Sequence, residues 1–197
     1  MTRQLVNPLQ SLIGKAKASL PQHTGTVAKA HDRMTRLGSG QTVVLADVSG
    51  SMDSLAWGGR SKHSLLGEAI AATAAGHEVL AFAEDVTPVP NASSLPPASG
   101  STALHLALNA ARERNPGRIL VISDGEPDDE VAALAAAKAF PGVIDVLYIG
   151  PDSNAAAMRF LRSLAQAGHG RYEGSDIARA GQPALAHTVQ RLIGRSA

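Results

Sequence analysis

From residue 42 onward two patterns alternate along the chain. Short apolar runs stand at "TVVLAD" (42–47), "EVLAFAE" (78–84), "RILVISD" (118–124) and "VIDVLYIG" (143–150). Between them, Ala- and Leu-rich stretches at 64–75, 103–114, 129–139 and 155–167 carry apolar residues at helical spacing. Runs that are apolar at successive positions suit strands covered on both faces, as in a parallel sheet. Alternation of such strands with helices predicts right-handed βαβ units and a doubly wound α/β domain.

One stretch departs from this rhythm. In "FAEDVTPVP" a second β-like segment (86–90) follows the strand at 78–84 within a few residues. No crossover helix fits in that gap, so the pair is expected to be an antiparallel hairpin. Pro88 and Pro90 place it at the sheet edge, because proline donates nothing to a ladder. "GRYEG" (170–174) reads as a last short strand. Pro183 is expected to open a final helix with Leu185, Val189, Leu192 and Ile193 on one side. The expected fold is therefore a mostly parallel six-stranded sheet with one antiparallel edge strand and helices on both faces.

Residues 1–40 follow another pattern. Asn7, Pro8 and Gln10 resemble a capping-box start, followed by Leu9, Leu12, Ile13 and Ala16 at helical spacing and stopped by Pro21. A second helix is expected over 26–37, with Val27, Ala30, Met34 and Leu37 on one face and Lys29, Arg33 and Arg36 as an adjacent basic stripe. The chain thus divides into an N-terminal helical extension (1–40) and an α/β domain (41–197).

Charge sharpens that division. The net charge of +1 combines six Lys and Arg against one Asp in residues 1–40 with twelve against sixteen acids in the remainder. A basic segment beside a slightly acidic body suggests a docking arm, and no nucleic-acid-binding motif accompanies it, so no nucleic-acid partner is expected. No run approaches the roughly 18 apolar residues of a membrane span. "MTRQLVNPLQ" lacks the apolar core of a signal peptide, so a cytoplasmic protein is expected. Absence of cysteine excludes disulfides, thiolate metal sites and a cysteine nucleophile. The seven histidines show no metal-binding spacing.

Candidate chemistry gathers at strand ends. In open α/β sheets ligands bind beyond the carboxyl ends of strands, where the strand order reverses. Two acidic turns stand at such ends: "DVSGS" with Asp47, Ser49 and Ser51, and "SDGEPDD" from Ser123 to Asp129. A third polar turn, "SGST" (Ser99 to Thr102), precedes the helix that leads into the strand at 118. If the two strands are neighbours, the three turns converge. Two carboxylates and three hydroxyls are hard oxygen donors that suit Mg²⁺ or Mn²⁺ rather than Zn²⁺. Read alone, the first turn serves equally well as a helix cap.

D-x-S-x-S at the end of a first strand, then a Thr in "GST" and an Asp in "SDG", resembles the metal-ion-dependent adhesion site (MIDAS) of von Willebrand factor A (vWA) domains. Asp47, Ser49, Ser51, Thr102 and Asp124 match it in order, and "DVSGSM" is similar to bacterial and intracellular members. The resemblance spans roughly 41–194, edge hairpin included. It implies that Ser49, Ser51 and Thr102 coordinate the ion, with Asp47 and Asp124 holding it directly or through water. It also implies that a partner protein supplies an Asp or Glu to the remaining position. Intracellular members frequently work with AAA+ ATPases or other multi-protein complexes, which makes such a machine an expected partner. Gly50, Gly100 and Gly125 are expected to shape the turns. Asp128, Asp129 and Glu130 read as first-turn helix acids.

Trp57 and Arg60 lie just beyond the first turn and, with the stripe Lys29, Arg33 and Arg36, are the candidate partner contacts; Lys62, beside Arg60, is a further basic residue that could meet an acidic partner, although such residues usually face water. An enzyme reading lacks residues. A haloacid-dehalogenase-like phosphatase needs a second Asp where Ser49 stands, and a serine-hydrolase elbow needs a Gly where Asp47 stands. No G-x-x-x-x-G-K-[ST] loop is present. The expected function is divalent-metal-dependent protein recognition without enzymatic activity. A metal-independent scaffold or regulatory subunit acting through the N-terminal helices is the alternative, and a Mg²⁺-dependent phosphohydrolase the lesser one.

Overall fold

Strand β1 (Thr42–Asp47) is buried at all six positions, which is why its sequence carries no charge before Asp47. Val43 and Leu45 face one apolar layer while Val44 and Ala46 face the other, as the two-residue pleat dictates. The computed structural model that shows this describes residues 41–90, 94–174 and 177–194, with the backbone alone for 177–182. The expected N-terminal helices and their stripe Lys29, Arg33 and Arg36 lie outside the described residues.

Five further strands complete the sheet: β2 (Glu78–Phe82), β3 (Val86–Val89), β4 (Arg118–Ser123), β5 (Val143–Tyr148) and β6 (His169–Gly174). Their order is β3-β2-β1-β4-β5-β6, with every pairing parallel except the edge pair β2–β3. The hairpin sits where the prolines predicted. Pro88 lies opposite Leu80 on the outermost strand, and both Thr87 and Pro88 are exposed. The fold is thus a doubly wound α/β sheet with one antiparallel edge strand.

Helices α1 (Lys62–Thr73) and α5 (Ile177–Ile193) bury one face through Leu65, Leu66, Ile70, Leu185, Val189 and Leu192. Helices α2 (Leu104–Glu113), α3 (Glu130–Ala139) and α4 (Ala155–Ala167) bury the other through Leu104, Leu108, Ala133, Phe160 and Leu164. Three of these helices begin at side-chain caps: Ser61, Asp129 and Asn154 accept from the N–H groups of Ser64, Ala132 and Ala157. The last helix corrects an expectation. It begins at Ile177, and Pro183 lies inside it. A proline there removes one backbone hydrogen bond, but the apolar face that follows it is packed in the core and tertiary burial overrides the local preference.

From β1 the chain moves to β2 on one side, whereas β4 pairs with β1 on the other. The loops leaving β1 and β4 therefore part in opposite directions and open a crevice at their carboxyl ends. Asp47 and Asp124 stand at that crevice.

A second buried acid lies within the sheet. β6 carries one more residue than β5 between paired positions, since Ile144 faces His169 while Val146 faces Tyr172. Asp145 closes this bulge. It accepts the Arg171 N–H at 2.8 Å and forms an ion pair with Arg118.

Candidate metal centre

Asp47 ends β1 and has no exposed surface. Its Oδ1 accepts the Ser49 N–H at 2.8 Å, and its Oδ2 accepts the Ser123 hydroxyl at 2.6 Å. Both donors are neutral. Burial pushes the Asp47 carboxyl up to about 6; the bonds from Ser123 and Ser49 oppose that rise, and the charge of Asp124 adds to it.

The turn after Asp47 continues the polar chain. The Ser49 and Ser51 hydroxyl oxygens are 3.1 Å apart, and the Ser51 hydroxyl donates to Asp124 Oδ1 at 2.7 Å. With its single proton spent on Asp124, Ser51 accepts from Ser49. Asp124, one residue past β4 and nearly buried, forms an ion pair through Oδ2 with the Lys62 ammonium. Asp47, Ser49, Ser51 and Asp124 thereby form one hydrogen-bonded sequence across the crevice.

The third turn packs against the first. Gly50 N–H donates to the Gly100 carbonyl at 3.0 Å, and Ser99 N–H to the Val48 carbonyl at 2.9 Å. Gly100 has φ +73°, and a Cβ there would come within 3.0 Å of the Glu84 side chain, so glycine alone fits without strain. Gly50 and Gly125 do not share that requirement. They lie in turns as expected, but neither has a left-handed backbone that would demand glycine. Thr102 enters through its backbone. Its N–H donates to both Asp128 oxygens at 3.1 and 3.0 Å, and its carbonyl accepts the Asp128 N–H at 3.1 Å. Among the described residues its hydroxyl makes none of the bonds that link the other four.

Asp128 differs from the expectation of a first-turn acid. Asp129 caps α3 and Glu130 occupies its first turn, while Asp128 ties the Thr102 loop to the loop after β4. Ser123 and Asp128 belong to the second polar turn and Lys62 to the basic residues beside the first, but the sequence reading assigned none of the three the contact it makes here. A lysine at the first position of a helix opposes the helix dipole, so its charge needs a partner elsewhere.

Of the candidate partner contacts, Trp57 is 46% exposed and follows Leu55, 76% exposed, on the loop that leaves the crevice. Arg60 is engaged within the chain, where its guanidinium meets both Glu68 oxygens and the Ser64 hydroxyl.

The donor set fits a hard divalent cation. It offers two carboxylates and neighbouring hydroxyls, and one of the carboxylates is buried with neutral partners alone among the described residues. Among the described residues no three His, Cys, Asp or Glu side chains converge, so the site offers none of the nitrogen- and sulfur-rich sets typical of zinc.

The fold is similar to that of solved von Willebrand factor type A proteins. A von Willebrand factor type A protein from Catenulispora acidiphila superimposes with a TM-score of 0.59 at 21% identity, over 79% of this chain and 42% of that one. The conserved hypothetical protein BatB from Bacteroides thetaiotaomicron does so with a TM-score of 0.50 at 18% identity, over 79% of this chain and 99% of that one. No family model and no curated protein matches the chain.

Proposed function

We propose that the chain is a divalent-cation-dependent protein-interaction module with a MIDAS-type site. Asp47, Ser49, Ser51, Thr102 and Asp124 hold Mg²⁺ or Mn²⁺, and the ion supplies an open position for an Asp or Glu of the partner. The observation that carries this reading is the hydrogen-bonded series Asp47–Ser49–Ser51–Asp124 at the point where the strand order reverses. Support comes from a fold associated with protein recognition and from the exposed pair Leu55 and Trp57 beside the crevice, which suits a docking rim. Trp57 is the anchor of that rim. Arg60, bound to Glu68, plays the lesser part.

The chain acts here as a binding module and not as an enzyme, since Ser49 stands where a phosphatase would place its acid. Among the described residues no helix is long and apolar enough to cross a membrane. The partner class carried over from the resemblance is an AAA+ ATPase or another multi-protein complex in the cytoplasm, with Lys29, Arg33 and Arg36 as a second contact.

A metal-independent scaffold is favoured by one observation, the Lys62 ammonium already paired with Asp124. Affinity capture of partners with Mg²⁺ or with EDTA separates the two. Capture lost in EDTA and on Asp124→Ala is the expected result, and capture indifferent to both supports the scaffold.

A further inference from the structure

Lys62 opens α1 behind the Ser61 cap, with no acidic residue in that first turn. The helix dipole disfavours a cation at this place. The side chain is nevertheless drawn in to 12% exposure, onto an Asp124 side chain that is 2% exposed, and its ammonium also lies 3.4 Å from the Ser51 carbonyl oxygen. Among the described residues, the cation paired with Asp124 is thus supplied by the chain itself, on a carboxylate assigned above to the metal.

We infer that Lys62 is a tethered cation that competes with the divalent ion for Asp124, so that metal entry requires the ammonium to leave. This rests on the metal-dependent reading above. Two positive charges at one carboxylate oxygen repel strongly where water is scarce. In the metal-free protein Lys62 compensates Asp124 and keeps the crevice closed up. With metal bound, the displaced ammonium becomes an added positive charge for the partner's carboxylate. Metal binding and the creation of an anion-accepting surface are thus one event.

A purely structural ion pair makes the opposite prediction, because its loss would loosen the site. Titration of the full chain with Mn²⁺ by calorimetry, using wild type, Lys62→Met and Lys62→Arg, distinguishes them. Lys62→Met is expected to bind on the order of tenfold tighter, the scale of one partly buried ion pair, while Lys62→Arg stays close to wild type. Amine acetylation of the wild-type protein, read by mass spectrometry, is expected to rise at Lys62 in saturating Mg²⁺. Equal or weaker binding by a folded Lys62→Met, or labelling that ignores Mg²⁺, overturns the competition and leaves the metal reading standing. Binding by Lys62→Met alone supports it most strongly. No binding by any of the three proteins overturns the metal reading and the competition with it.

Discussion

Asp145 and Asp47 are both buried aspartates of one mostly parallel sheet, 2% and 0% exposed, yet they are satisfied in opposite ways. Asp145 spans β4, β5 and β6, with the Arg118 guanidinium on one oxygen and the Arg171 N–H on the other. Its charge is compensated within the fold, and it pins a bulge. Asp47 has a hydroxyl and a backbone N–H, neither of them charged. A buried carboxylate with neutral donors alone is expensive to ionise, and its carboxyl is pushed up accordingly. The difference separates a charge compensated within the sheet from one that, on the reading proposed above, is kept for an incoming cation.

Neutralising each acid in turn breaks or sharpens that contrast, and the two substitutions should act with opposite sign. Asp145→Asn strands Arg118 in the sheet and should lower stability by about 3 kcal/mol, measured by urea unfolding. Asp47→Asn removes an uncompensated charge and should stabilise the metal-free protein at neutral pH. Losses of similar size from both would erase the distinction.

A smaller effect should appear in the pH dependence. The Asp47 carboxyl is raised from 3.8 to about 6 in the folded state, so the fold retains a proton that the unfolded chain has released between those values. Asp47 therefore makes metal-free stability fall as pH rises from about 4 to about 6, by at most roughly 3 kcal/mol, and leaves it level above that. Unfolding curves in EDTA across this range should show the decline in wild type and lose that component in Asp47→Asn. A wild-type profile identical to that of the variant would remove the case for an uncompensated Asp47.

Much of this arrangement was legible in the sequence, for identifiable reasons. The buried strands announce themselves because a parallel sheet covered on both faces leaves no polar alternation, and Pro88 and Pro90 mark the edge. Asp47, Ser49 and Ser51 are local to one turn, so spacing alone brings them together. Asp124 required strand order, and Thr102 was chosen by resemblance; its structural tie to the site is a backbone clamp from Asp128. The contacts of Lys62, Ser123 and Asp128 stayed hidden because they cross 62, 76 and 26 positions, and pairwise distances of that kind follow from topology. Pro183 misled for the converse reason, since a local rule gave way to the packing of Leu185, Val189 and Leu192.

The most direct test of the central claim is calorimetric titration of Mg²⁺ and Mn²⁺ into wild type and Asp47→Ala at neutral pH. A single saturable site in wild type, absent from Asp47→Ala, is the predicted result. Equal heats from the two proteins would contradict it.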